Sequence, residues 1–174
     1  MERIESKRLI LRKFVKEDAK DIYQGWASDP AVTKYLTWHP HKNLKETEQI
    51  LDVWLAAYEG KNCYRFAIEL KEENKLIGMI DVVGYEDGIP EIGYVLSRNY
   101  WNKGYMSEAL STFMNLLISE GFDKIYIEAD ENNIASNAII RKNGFKFLGK
   151  DRRIKSQFKN EMVSLNTYEF VKSK

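Results

Sequence analysis

Two long stretches of the chain carry apolar residues at helical spacing. Between Asn43 and Tyr58, the residues Leu44, Thr47, Ile50, Leu51, Trp54, Leu55 and Tyr58 recur at i, i+3 and i+4, which predicts an amphipathic helix that Gly60 stops. Between Gly104 and Glu120, Met106, Ala109, Leu110, Phe113, Met114 and Leu117 form one stripe, and Gly121 closes it. Three shorter helices are predicted. One runs from Asp18 to Gly25. A second opens at Ser28-Asp29-Pro30, where Asp29 suits the N-cap and Pro30 the first helical position. A third runs from about Ile134 to Lys142, between Asn133 as N-cap and Gly144 as terminator.

Other runs read as strands: Arg8 to Phe14, Cys63 to Leu70, Leu76 to Gly84, Glu91 to Leu96, Lys124 to Glu128, Phe145 to Leu148 and Met162 to Val171. Polar Lys71 to Lys75 joins two of them, and Asp87-Gly88 marks a tight turn. Gly93, inside a strand, signals a bulge or a close backbone approach. Antiparallel strands come first and a strand–helix–strand crossover later. The order predicts an α+β fold: a single mixed, mostly antiparallel sheet of about seven strands with helices on both faces. No repeat or linker interrupts the pattern, so residues 1–174 are expected to form one domain.

Charge and composition narrow the partners. The formal net charge is +1, without the basic excess of a nucleic-acid-binding domain. The dense basic run Lys150-Asp151-Arg152-Arg153-Ile154-Lys155 reads as a solvated loop. Cys63 is the only cysteine, which excludes an intrachain disulfide and points to a reducing, cytoplasmic setting. With His39 and His41 as the only histidines, no metal site is expected. No run approaches the roughly 18 apolar residues of a membrane span.

Two segments carry candidate chemistry. In the first, a strand ending at Leu96 leads through Asn102-Lys103-Gly104-Tyr105-Met106-Ser107 into the strongest helix. The first N–H groups of a helix lack partners, and with the helix dipole they make an anion site. Gly104 would let a phosphate approach the backbone. In the second, Asn133, Ser136 and Asn137 place polar side chains on the first turn of a helix, where they cap it or meet a ligand.

Together these segments resemble the GNAT superfamily of acetyl-CoA-dependent N-acetyltransferases. The resemblance covers nearly the whole chain. Ser6 to Arg12, Asp29-Pro30-Ala31-Val32, Trp38-His39-Pro40-His41, Glu91 to Leu96, Tyr100 to Leu110 and Asn133-Ile134-Ala135-Ser136 look like its ribosomal-protein N-acetyltransferase branch. The family's pyrophosphate loop, Gln/Arg-x-x-Gly-x-Gly/Ala, maps to Trp101, Gly104 and Met106, so only the central glycine matches. The resemblance implies that Asn102 to Ser107 hold the pyrophosphate, mainly through backbone N–H groups. It implies that Tyr94, Val95 and Leu96 run beside the pantetheine arm, with an N–H near Tyr94 or Val95 polarising the thioester carbonyl. Asn133, Ser136 and Asn137 complete the cofactor set.

Acetyl transfer needs a group that deprotonates the acceptor amine, and the strand carboxylate Glu91 is the candidate base. Many family members use as acid a Tyr that maps to Ile140, which cannot donate; the ribosomal-protein branch offers instead a Ser that maps to Ser136. Tyr35, Trp38, His39 and His41 lie where the family forms its substrate wall, and they equally suit plain aromatic packing. The expected acceptor is a protein N-terminal amine or a small-molecule amine, and the expected state a monomer or homodimer. A non-catalytic acyl-CoA-binding module is the competing reading. A nucleotide-phosphate enzyme would require a Gly-x-x-x-x-Gly-Lys-Ser/Thr loop, which the sequence lacks.

Overall fold

The computed structural model describes residues 3–60, 62–155 and 162–172. Within them, apolar side chains alternate along the strands and bury both faces of one sheet. Phe66 and Ile68 face one hydrophobic cluster, and Ala67 between them faces the other.

The strands are β1 (Arg3–Glu5), β2 (Leu9–Arg12), β3 (Arg65–Leu70), β4 (Lys75–Glu86), β5 (Ile89–Leu96), β6 (Lys124–Asp130), β7 (Lys146–Lys155) and β8 (Met162–Val171). They lie in the order β1-β2-β3-β4-β5-β6-β8-β7. Neighbours are antiparallel except β5 and β6, which are parallel. The α+β fold with a mixed, mostly antiparallel sheet is therefore as the sequence predicts. β1 is an additional strand, too short to show a pattern.

The helices are α1 (Ala19–Ile22), α2 (Pro30–Thr33), α3 (Leu44–Ala57), α4 (Tyr105–Ser119) and α5 (Ile134–Lys142). A 3-10 turn leads into α1, and a wider π turn over Tyr23–Ala27 extends it. Asp29 caps α2 by accepting from Ala31 N–H, and Asn43 caps α3 by accepting from Glu46 N–H. One cluster joins α4 and α5 to the sheet through Leu110, Phe113, Leu117 and Ile140. The other joins α1–α3 through Ile22, Trp26, Val32 and Leu51. Arg12 ties β2 to β3 and α1: its Nη1 and Nη2 reach Asp18 at 2.8 and 2.9 Å, and its Nε reaches Glu69 at 2.6 Å.

Two sequence expectations are corrected. The basic run from Lys150 to Lys155 is part of β7, because Arg152, Arg153, Ile154 and Lys155 pair with Leu165, Ser164, Val163 and Met162 of β8. The bulge lies in β4, between Val82 and Gly84, and not at Gly93. Gly93 is the close approach: a Cβ there would stand 2.5 Å from Cγ1 of the bulged Val83.

Phe113 is fully buried and meets Phe66 edge-on, with ring centroids 5.9 Å apart. Phe113→Ala should lower the unfolding free energy by about 3–5 kcal/mol. Val53→Ala, on the exposed face of α3, should change it by less than about 0.5 kcal/mol. Urea unfolding curves of the two variants check the contrast.

Candidate active site

The parallel pairing of β5 and β6 has only two rungs, Glu91↔Tyr126 and Ile92↔Ile127. Beyond them the strands part. Ser97 N–H bonds the Ile77 carbonyl of β4 at 2.8 Å. Peptide groups alternate along a strand, so Val95 also turns its backbone towards β4, while Tyr94 and Leu96 turn theirs towards the opening. The Leu96 carbonyl accordingly accepts from Trp101 Nε1 at 2.8 Å. This corrects the expectation for Val95: its amide belongs to the β4 ladder and its side chain to the core. Tyr94 and Leu96 are the residues with backbone groups facing the cleft.

The start of α4 stands at the end of this strand. Asn102 and Gly104 both adopt left-handed backbone, with φ of 59° and 78°. The helix ladder begins with Glu108 N–H to Gly104 O at 3.1 Å, so the N–H groups of Tyr105, Met106 and Ser107 precede it, and no side chain caps them. Met106 buries its side chain and offers only backbone. Lys103 is exposed, and its ammonium lies 5.4 Å from the centroid of the Tyr100 ring. Ser107 Oγ accepts from Asn143 Nδ2 at 3.0 Å, which joins the end of α5 to this turn.

Arg8 and Glu108 hold the turn in place, and neither was singled out from sequence as a site residue. Arg8 Nη1 donates to the Lys103 carbonyl at 3.0 Å, and its guanidinium lies 4.4 Å over the Tyr105 ring. Glu108 accepts from Ser6 Oγ, Arg8 N–H and Arg8 Nε at 2.7, 2.7 and 2.6 Å. Burial opposes ionisation of Glu108, but these three bonds outweigh it and hold its carboxyl below the usual range.

Across the cleft, Asn133 accepts from Ser136 N–H at 3.1 Å and caps α5. The Tyr94 hydroxyl and Ser136 Oγ lie 2.7 Å apart and so join β5 to α5. Burial pushes the Tyr94 phenol up to about 12, against the lowering effect of the Ser136 bond. Asn137 is the second correction at this site. Its Nδ2 donates to the carbonyls of Asp130 and Asn133, and its Oδ1 accepts from Asn166 Nδ2 and Tyr168 Oη. With its side chain buried and fully bonded, Asn137 braces the β6–α5 junction and has nothing left for a cofactor.

Glu91 lies half-buried at the first of the two parallel rungs. The aromatic loop is only partly assembled. Trp38 and His41 stack with centroids 5.2 Å apart, and His41 Nδ1 lies 2.8 Å from Thr47 Oγ1. Burial lowers the His41 pKa despite nearby Glu46. Tyr35 lies instead under the Lys34 ammonium, and His39 is exposed. No group of three metal-ligating side chains occurs among the described residues, and none of their helices is long and apolar enough to cross a membrane.

A splayed sheet with an uncapped helix start at its mouth makes an open cleft with an anion-binding end. Residues 8–146 match the family model of the Acetyltransferase (GNAT) domain. The chain is 35% identical over 136 residues to the uncharacterized N-acetyltransferase p20 of Bacillus licheniformis, covering 77% of this chain and 74% of that protein. It is 28% identical over 172 residues to the uncharacterized N-acetyltransferase YoaA of Bacillus subtilis (strain 168), covering 97% and 96%. Among solved structures, RimL, a ribosomal L7/L12 α-N-protein acetyltransferase in complex with coenzyme A, superimposes with a TM-score of 0.86 at 22% identity over 98% of both chains. The chain belongs to the GNAT acetyltransferase family and is an N-acetyltransferase.

Two outcomes test this geometry. A side chain at Gly104 would be strained by its φ of 78°, so Gly104→Val should weaken acetyl-CoA binding about tenfold or more by calorimetric titration. Glu108 has a folded-state pKa below its unfolded value, so its contribution is present at neutral pH and is lost as pH falls through the folded value. The stability gap between wild type and Glu108→Gln should therefore be widest near pH 7 and narrow as pH falls through and below the usual carboxylate range in chemical unfolding.

Proposed function

We propose that this enzyme, acting as one domain over residues 1–174 in the cytoplasm, transfers the acetyl group of acetyl-CoA directly to a primary amine in a ternary complex. The acceptor is a peptide N-terminus or a small amine, and the enzyme works as a monomer or homodimer. The observation that carries the reading is the cleft itself: unpaired strand edge at Tyr94 and Leu96, uncapped α4 start at one end, and the Tyr94–Ser136 bond across it. The solved RimL structure with this fold holds coenzyme A, which supports the same donor here.

Acetyl-CoA, when bound, supplies a thioester whose acetyl group moves from sulfur to the acceptor nitrogen. The N–H groups of Tyr105, Met106 and Ser107, on the turn of Asn102, Lys103 and Gly104, hold its pyrophosphate. Tyr94 and Leu96 align its arm as an added strand would be aligned, with Asn133 and Ser136 on the opposite wall. The Tyr94 N–H polarises a carbonyl placed against that edge. Glu91 takes a proton from the acceptor ammonium and frees the nitrogen lone pair.

Magnitudes decide what Ser136 does. A thiol has a pKa near 8.5, and the Tyr94 phenol stands at about 12. Moving a proton from that phenol to a thiolate is uphill by about 3–4 units, or roughly 5 kcal/mol, and a serine hydroxyl is a weaker acid still. Ser136 therefore steadies the sulfur by donating a hydrogen bond, while the Tyr94 hydroxyl donates to Ser136 Oγ and fixes its direction. Water supplies the final proton.

Thiol release measured over a panel of peptides and polyamines should rise only when amine is present; tight acetyl-CoA binding with no such release would refute the reading. Ser136→Ala should lower kcat about tenfold while leaving acetyl-CoA affinity within about twofold. Tyr94→Phe should do the same, and the double variant should be little worse than either alone. Additive losses would show that the two hydroxyls act separately.

A further inference from the structure

The Tyr94–Ser136 pair rests on a buried amide cluster that the mechanism above leaves unused. Asn166 and Tyr168 stand two residues apart on β8, so alternation turns both to the same face, the one that α5 covers. Asn166 Nδ2 and Tyr168 Oη donate to Asn137 Oδ1 at 2.7 and 2.6 Å. Asn137 Nδ2 in turn donates to the Asp130 carbonyl at 2.9 Å and to the Asn133 carbonyl at 2.7 Å. One side chain thereby fastens the first turn of α5 to β8 and to the end of β6. Ser136 is its neighbour in that turn.

Among the described residues, one buried side-chain polar atom has no hydrogen-bond partner, and it is Oδ1 of Asn166, a residue 5% exposed. Turning the amide over does not cure this. Asn137 uses its Nδ2 for two carbonyls, so its Oδ1 faces Asn166, and a reversed Asn166 would set oxygen against oxygen. A buried acceptor without a donor destabilises a fold, and asparagine is depleted in strands. Valine, close to asparagine in size, would remove both penalties. Asn137 Oδ1 would still accept from Tyr168 Oη, so no buried polar group would be newly orphaned. Stability therefore does not account for Asn166. What the asparagine adds is a second donor on Asn137 Oδ1. Two donors from separate residues fix the plane of that amide, where one leaves it free to rock.

That plane bears on Ser136. Tyr94 belongs to β5, whereas Ser136 stands on a helix fastened to β6 and β8, and only two rungs join β5 to β6. The 2.7 Å contact between the two hydroxyls thus depends on how the first turn of α5 is seated on β8. Resting on the acetyl-transfer reading, we propose that Asn166 is a positioning residue: through Asn137 it seats Ser136 against the departing sulfur, at the expense of fold stability.

Thiol-release kinetics and urea unfolding of Asn166→Val, made in wild type and in Ser136→Ala, test the proposal. The urea midpoint should equal or exceed that of the parent. In wild type, kcat should fall about threefold or more, with the acetyl-CoA KM within about twofold. In the Ser136→Ala background the same change should lower kcat by less than about 1.5-fold, because the group that Asn166 positions is already gone. An unchanged kcat in the folded variant would overturn the proposal. Equal losses in the two backgrounds would also overturn it, since they mark a general loosening, and a lowered midpoint would make Asn166 a stabilising residue instead. If the branched valine prevents folding, Asn166→Ala removes the same donor and is taken through the same cycle, with kcat alone deciding. No effect of Ser136→Ala on kcat would refute the role of Ser136 and this proposal with it. No amine-dependent release in wild type would refute acetyl transfer itself.

Discussion

The two-rung pairing of β5 and β6 is the constraint on which the rest of the site depends. Each of these strands is fully engaged on its other edge, β5 with antiparallel β4 and β6 with antiparallel β8. The two halves of the sheet are thus self-sufficient and can diverge after Ile92 and Ile127 without losing their own ladders. The divergence leaves Tyr94 and Leu96 with backbone groups to offer. It also delivers the chain to the left-handed pair Asn102 and Gly104, from which α4 starts uncapped. An opening in a sheet core would ordinarily leave polar groups without partners. Here it is confined to the stretch where a ligand amide chain can supply them.

Electrostatics marks the α4 end of the cleft. At the α4 end, the helix start and Arg8 present positive charge, and Glu108 absorbs part of it while fastening Ser6 and Arg8 to the turn. The Tyr94–Ser136 bond joins β5 to α5 across the cleft.

Much of this was legible in the sequence because the signals are local. The stripe from Met106 to Leu117 gave α4, Asp29-Pro30 gave the start of α2, and Asn133 with Gly144 bracketed α5. What escaped depends on residues distant in sequence. Arg8 and Glu108 are 100 residues apart, and Tyr94 and Ser136 are 42 apart, so no window holds both members of either pair. Gly93 signalled a close approach correctly, but the extra residue it accommodates is Val83, on the neighbouring strand. The charged run Lys150–Lys155 looked like a loop because strand pairing with β8 leaves no apolar alternation there. Asn137 looked available because it shares the first turn of α5 with Asn133 and Ser136; its partners Asn166 and Tyr168 come from β8, about thirty residues on.

A sheet joined along one short seam has its fewest backbone bonds along a single line. Bending about that line disturbs the two rungs at Glu91 and Ile92 and leaves the long antiparallel ladders intact. The Tyr94–Ser136 and Ser107–Asn143 bonds span the same line from above, like stitches over a hem. The cluster under α4 and α5 crosses the same line, since it holds Ile92 of β5 and Ile127 of β6, so core packing backs the few hydrogen bonds that set the width of the opening.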